Sequence, residues 1–547
     1  MFKKSKLSVL MALLIAMVMV VSACGNGGGD DEDAPADPPT VVDDDDNGDE
    51  GDDDVPEDPP EAAAFDTLTV VVTTDAISLD PHRTNDVPSA IAMAHIYNTL
   101  VYMDYTTLEI HPSLAVSWVP YDERTYEFTL RDDVLFHNGD LMTAHDVAFT
   151  IARSVAPGSE TIAPIVGMFD PDTIYVVDDF TVRIGTYEPF APFLAHLAHG
   201  AAAILNERAV TEGGEDYGTL VPPVGTGPFQ LADWVMQVSM DLVRFDDHWA
   251  ETSVYENLVF IPVVDGAQRT IQAETGAADI VMGPPAPDFA RIEANDDIVL
   301  ILEPALTTFF LPMNNNVEPL DDVRVRRAIT HAIDMESLVM AITEGTGTVA
   351  TSPTPPDVFG ATQEDMRLWH FDPDRARELM EEAGHADGFS IQFLSTDAPT
   401  NIQIATMVQA FLADINIEVE IVTHEWAVFI EQLDDGVHDM AVTGWVAVTG
   451  DADYNLFPIY HSSQHGTPGN RSFFDNAELD ALLDAARTSI DPAERLALYR
   501  EAQEIIMYYA PQVFVNFANN GVILQDNVRG FVMRPNNIHM FTHITLD

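Results

Sequence analysis

Beyond residue 6 the chain has no lysine, and in 547 residues it has one cysteine. Each absence excludes something. Without lysine there is no phosphate-binding P-loop, no Schiff-base amine and no Ser-Lys dyad. With Cys24 alone there is no intrachain disulfide and no catalytic thiol in the body of the chain. Positive charge is scarce: 24 basic side chains stand against 90 acidic ones, for a net charge of −66. Such a surface repels nucleic acid and anionic lipid, which removes both as partners. Long apolar runs are missing too, with one exception at 7–21. That run follows Lys3, Lys4 and Lys6 and ends in Val21-Ser22-Ala23-Cys24. At about 15 residues it is too short to span a bilayer, which takes roughly 20. Residues 1–24 therefore read as a lipoprotein signal peptide, with Cys24 as the lipidated residue.

The remaining basic side chains are all arginine. Arginine keeps its charge above pH 12, whereas lysine titrates near 10.4. With the acid excess, this points to an acidic, halophilic protein from alkaline brine. Residues 25–61 are rich in Asp, Gly and Pro, with acidic runs at 43–46 and 52–54. They cannot bury enough apolar surface to order themselves, so they read as an extended, disordered acidic linker.

The body begins near Phe65. Thr67–Val72 (TLTVVV) predicts a buried strand, Thr125–Leu130 an alternating one, and 174–184 a hairpin turning at Asp178-Asp179. Further strands are expected within 256–264, 439–443 and 513–517. Thr143-Ala144-His145-Asp146 predicts a capped helix start. Asp321-Asp322 precedes an apolar stripe at helical spacing over Val325, Ala328, Ile329, Ala332 and Ile333. Asp372-Pro373 and Asp491-Pro492 each combine a cap with proline at the first helical position. The first of these helices stops at Gly384 and the second at Pro511. Strands and helices mixed in this order mean an α/β chain with mixed sheets.

Enzyme motifs are missing. There is no His-Glu-x-x-His and no Gly-x-Ser-x-Gly. His196-x-x-His199 and His461-x3-His465 have metal-ligand spacing but no third ligand nearby, so neither a metal nor a cofactor is expected. Two segments suggest binding. Residues 444–454 place Trp445 beside Asp451 and Asp453 after a predicted strand, suited to stacking on a ligand and accepting its hydrogen bonds. Residues 309–316 run from an apolar strand into Asn314, Asn315 and Asn316, whose amides both donate and accept. A turn serves that second segment equally well.

Five motifs in order give a family resemblance from about Leu68 to the C-terminus. They are Phe136-His137-Asn138-Gly139-Asp140 with the Thr143 cap; Pro223-Val224-Gly225-Thr226-Gly227-Pro228-Phe229 followed by Trp234; Leu320 to Asp334; the Asp372-Pro373 helix; and the Asp491-Pro492 helix. The chain resembles the extracytoplasmic solute-binding proteins of peptide and nickel ABC importers, such as oligopeptide- and dipeptide-binding proteins. The resemblance implies a two-lobed, periplasmic-binding-protein-like (Venus flytrap) α/β fold with an extra subdomain in the first lobe. Lobe I is expected over 62–315 with the subdomain at about 100–215, lobe II over 316–509, and a return to lobe I over 510–547. It implies a monomer tethered by lipid outside the cell membrane that hands a small peptide to an ABC permease, without catalysis. In peptide binders of this kind an acidic residue soon after the Gly-Trp pair holds the peptide's ammonium. Here that position is Val448, and Asp451 or Asp453 is expected to replace it. Trp445 keeps its family position, and Trp426 lies in a segment resembling one that precedes the cleft. The altered anchor leaves open an oligosaccharide, a glutathione-like compound or a nickel complex as ligand. A secreted hydrolase is the alternative from another class.

Overall fold

The computed structural model describes residues 65–547, apart from Gln363 and Pro468. The segments expected to be a signal peptide and an acidic linker, with Cys24 between them, lie outside the described residues. Among those residues no helix is long and apolar enough to cross a membrane.

A mixed nine-stranded sheet forms the frame. Thr67–Val72 lies inside it, parallel to both Asn257–Pro262 and Ile280–Met282. Both of its faces are covered, with Val70 and Val71 fully buried, which is why the strand reads as a continuous apolar run. On one side the sheet continues antiparallel through Ser239–Arg244 to Phe229–Val235. On the other it continues through Gln512–Gln525 and Ile298–Pro312 to Thr443–Val446.

The paired strands Ile298–Pro312 and Gln512–Gln525 are 15 and 14 residues long. At about 3.3 Å per residue each spans nearly 50 Å, and each serves two cores. Ile298, Val522, Ile523 and Leu524 pack with Val70, Val71 and Ile280. Leu311, Val513 and Val515 pack instead with the helices Val323–Ala332 and Pro399–Ala413. Between the two ends the ladder slips twice, at Pro304/Thr308 and at Phe309/Phe310. Pro304 has no N–H to offer a ladder, so the break falls at a residue that cannot hold one. The two lobes are joined by this pair of strands. The second lobe contains a parallel sheet of Ile417–His424, Phe389–Thr396 and Met440–Ala441. A four-stranded antiparallel sheet, Ala115–Pro120, Thr125–Leu130, Thr181–Gly185 and Tyr175–Asp178, forms the subdomain with the helix Ala144–Ser154 over its core.

The caps read from sequence are in place. Thr143 and Asp146 form a reciprocal capping box, Asp322, Asp372 and Asp491 accept from first-turn N–H groups, and Gly384 closes its helix in the left-handed region. Two local expectations need correction. The single strand expected at 439–443 is two: Met440–Ala441 joins the parallel sheet, and the chain crosses at Val442 to enter the large sheet as Thr443–Val446. An apolar run buried on both faces carries no mark of such a crossing. The segment 444–454 is also not one loop. Trp445 lies on a strand opposite Thr308, and Ala452–Tyr460 is a helix despite Pro458 inside it.

Candidate functional site

Two loops hang from the long strands at the point where their register slips. Leu306 sits between the two shifted halves of the ladder, so its backbone groups are free to bond elsewhere. Its carbonyl accepts from Ala447 N at 2.7 Å, and its N–H donates to Pro535 O at 2.8 Å. Asn520, on the partner strand, donates its amide to the carbonyls of Arg534 and Pro535 at 3.1 and 3.3 Å. The loop after Trp445 and the loop around Arg534 are thus fixed to one residue of one strand. A third element meets them: the hairpin Val101–Asp104 and Glu109–Pro112 carries Tyr105, whose hydroxyl donates to Val448 O at 3.1 Å.

Beside this junction lies a cavity of about 490 Å³, lined by Asn98, Tyr102, Tyr105, His199, Trp249 and Arg534 among others. That volume falls in the range of small-molecule sites, about 300–1,000 Å³. Two sequence motifs build its back wall. Thr226 Oγ1 and Trp249 Nε1 both donate to Asn98 Oδ1 at 3.1 Å. Gly225 and Gly227 let the Gly-Thr-Gly turn press against the end of the helix Val87–Ile96, where a Cβ on Gly225 would lie 1.9 Å from Ile96 O. His137, from the Phe-His-Asn-Gly-Asp motif, clips this turn: its Nδ1 accepts from Gly225 N at 3.3 Å and its Nε2 faces Gly227 O at 3.0 Å. Those two contacts together assign the proton to Nε2.

Three histidines here, His199 and His248 on the cavity wall and His539 beside Arg534, are neutral near pH 7. Burial, and secondarily His196, holds His199 down to about 3, and burial also lowers His248. Burial, then the Arg534 charge, keeps His539 at about 4. Arg534 is half-buried, and burial lowers its pKa while Tyr105, Asp104 and Tyr102 raise it. Among the described residues, no carboxylate or carbonyl hydrogen-bonds or ion-pairs with its guanidinium. The other twenty arginines each have such a partner, for example Arg131 with Asp133 at 2.7 Å and Arg269 with backbone carbonyls at 2.6 to 3.2 Å.

None of the six binding residues expected from sequence lines this cavity. Asp451 caps the helix Ala452–Tyr460 and takes Arg495 Nη2 at 2.7 and 2.9 Å and the Tyr499 hydroxyl at 3.2 Å. Asp453 forms an ion pair with Arg487 Nε at 3.0 Å, with His196 Nε2 at 3.7 Å. Burial pushes both carboxyls up, against the arginines that hold them down. Their charge is already answered by arginines within the fold, away from the cavity lining. Asn314 donates to Gly436 O and His438 O, and Asn315 to Met313 O and Ser472 O; these amides serve the turn. Trp426 is exposed at the start of the helix Trp426–Asp434. Trp445 is half-buried and donates Nε1 to Tyr454 O at 2.9 Å. It reaches the cavity only at second hand, since Asn85 of the cavity wall donates to the Tyr454 hydroxyl at 3.2 Å. Sequence reasoning missed Arg534 altogether. The one signal was an arginine in Met533-Arg534-Pro535-Asn536 with no carboxylate within three residues in a chain otherwise crowded with them.

The model for bacterial extracellular solute-binding proteins, family 5 (middle), matches residues 109–467. A glutathione-binding protein of Salmonella typhi is 31% identical over 479 residues, covering 86% of this chain and 92% of the relative. The dipeptide-binding protein of Escherichia coli K12 is 29% identical over 479 residues, covering 83% and 89%. Among solved structures, the ABC transporter-associated periplasmic binding protein DppA from Helicobacter pylori, in complex with the peptide STSA, is similar with a TM-score of 0.81 and 29% identity, covering 88% of this chain and 98% of that one.

Proposed function

The chain belongs to the bacterial extracellular solute-binding proteins, family 5, and on that premise we propose that it is the substrate-binding lipoprotein of an ABC importer. It captures a small peptide outside the membrane and delivers it to the permease by closure of its lobes. The observation that carries this reading is the cavity of about 490 Å³ beside the junction of the Tyr105 hairpin, the Val448 loop and the Arg534 loop. Two loops suspended from the strands that join the lobes would change their spacing to the Tyr105 hairpin as those strands flex at the register break. Lobe boundaries near 315 and 509 are supported by the Pro312–Gln512 pair, the last of the shared ladder. A peptide ligand is supported by relatives named for a dipeptide and for glutathione. Binding without catalysis is supported by the family and by the absence of nucleophile and metal motifs from the sequence. The lipobox supports the anchor, and the arginine-only, acid-rich composition supports a host in alkaline brine.

Native mass spectrometry of the purified protein, followed by denaturing release, tests the ligand class. A ladder of short peptides is the expected result. A single non-peptide mass keeps the importer role and overturns the peptide. Reproducible hydrolysis of offered peptides overturns the binding role itself.

A further inference from the structure

A charge left unpaired inside a protein costs free energy unless something completes it. Four other arginines, Arg124, Arg269, Arg326 and Arg327, also lack a carboxylate, but each donates to backbone carbonyls, and among the described residues Arg534 has neither. Arg534 lines the cavity, and its loop is fixed at the backbone by Asn520 and Leu306 rather than by its own side chain. Its backbone is thus fixed while the donors of its guanidinium remain unused. Around it, the Tyr105 hydroxyl already donates to Val448 O, and Asn536 Oδ1 accepts from Ile538 N. Asp104, the nearby carboxylate on the hairpin, accepts from Thr106 N and Thr107 N. Glu251, the one acid among the lining residues, is exposed. Arg534 is the one arginine among the lining residues, and burial leaves His199 and His248 on the same wall without positive charge near neutral pH.

We propose that the Arg534 guanidinium is the anchor for a carboxylate of the ligand. Its planar fork matches a carboxylate with two parallel N–H···O bonds. The inference rests on the peptide-binding reading and deepens it: the protein selects solutes that present a free carboxylate, and a peptide whose C-terminus is amidated loses its principal polar contact. The ligand's negative charge then completes an arginine that the folded chain leaves open.

The test is a competition experiment on the full-length protein with a library of di- to pentapeptides, each offered as the free acid and as the C-terminal amide. Binding is read by native mass spectrometry and by titration calorimetry. Free acids are expected to bind at least about 30-fold more tightly than their amides, the range for truncating one partner of a buried charged pair. In Arg534→Gln that preference is expected to collapse to near unity, because acid affinity falls while amide affinity stays. Arg534→Lys is expected to restore part of it, with charge but no fork. The ligand-free melting temperature of both variants is expected to stay at or above that of the parent, since an uncompensated charge has been removed or made more flexible. Equal binding of acids and amides by the parent protein overturns the anchor and leaves the peptide reading standing. An acid preference that survives in Arg534→Gln also overturns it, by placing the anchor elsewhere. Failure of every peptide to bind removes the peptide reading and the inference with it. The acid–amide comparison on the parent protein needs no variant to fold.

Discussion

At the scale of single residues, the contrast between Asp451 and Arg534 decides what each is for. Both lie near the junction, but Asp451 is saturated by Arg495, Tyr499 and the Asp453 N–H, whereas the Arg534 guanidinium has no hydrogen-bond or ion-pair partner among the described residues. Asp451→Ala leaves Arg495 buried without its partner, and breaking a buried pair in this way costs about 3–5 kcal/mol. The urea midpoint is expected to fall accordingly, and Asp451→Ala with Arg495→Met is expected to recover part of the loss. An unchanged midpoint with weakened ligand binding would instead make Asp451 a ligand anchor. The sequence made Asp451 and Asp453 candidates because carboxylates near a Gly-Trp pair suit a cationic ligand. It held no sign that Arg487 and Arg495, more than thirty residues later, fold back onto them. Ion pairs distant in sequence leave no local pattern, and for the same reason nothing local marks Arg534 as unpaired.

Elements were more legible, because caps, proline positions and apolar periodicity act within a few residues. The Thr143, Asp322, Asp372 and Asp491 starts are where the sequence puts them. What stayed hidden was the crossing at Val442 and the helix around Pro458, where tertiary packing overrides local preference. The structure also gives the Gly-Thr-Gly motif its reason, and with it a graded prediction. A Cβ on Gly225 would sit 1.9 Å from Ile96 O, with no room for the helix end to retreat from the cavity wall. Gly225→Ala is expected to yield little soluble protein or to lose more than about 3 kcal/mol, as overpacking at the upper end does. Gly139 has a φ of +82° but open space around its Cβ position. Gly139→Ala is expected to cost only about 1 kcal/mol, the strain of a left-handed residue. Denaturation midpoints of the two variants check the order. The Tyr105 hairpin makes a second element-scale case. Tyr105→Phe deletes the bond to Val448 O, worth about 0.5–1.5 kcal/mol. That shifts the closed population toward open by a few-fold, which small-angle scattering of the ligand-free protein reads as a larger radius of gyration. An unchanged radius would mean that this bond does not hold the junction.

For the molecule as a whole, the two-lobed architecture was legible only through the family motifs, because the strands that cross between lobes are ordinary apolar runs whose register breaks have no signature. The whole-molecule property that the structure adds is its response to acid. Burial dominates the depression of several histidines: His95, His137, His196, His438 and His539 lie at about 4, and His82 and His199 at about 3. In the unfolded chain each titrates near 6.5. A base with a depressed folded pKa stabilises the fold fully above its unfolded pKa. As pH falls below 6.5 the unfolded chain takes up protons that the folded chain refuses, and the stability drains away until the folded pKa is reached. Each such histidine loses about 1.4 kcal/mol per pH unit across that window. Two other effects work the opposite way. The raised carboxyls of Asp279, Asp451 and Asp453 favour the folded state as acid is added, and protonating surface carboxylates relieves the repulsion of a strongly negative chain. Ordinary carboxylates titrate near pH 4, and the seven depressed histidines outnumber the three raised carboxyls, so the histidines dominate between about 6.5 and 5. The unfolding free energy is expected to be level above pH 7 and to fall steeply from 6.5 to 5, with a net uptake of several protons on unfolding at pH 5.5. Calorimetric unfolding in buffers of different ionisation enthalpy measures that uptake directly. Stability that is flat or rising from pH 7 down to 5 would mean that these histidines are protonated in the fold, and hence that water reaches the interiors in which they lie.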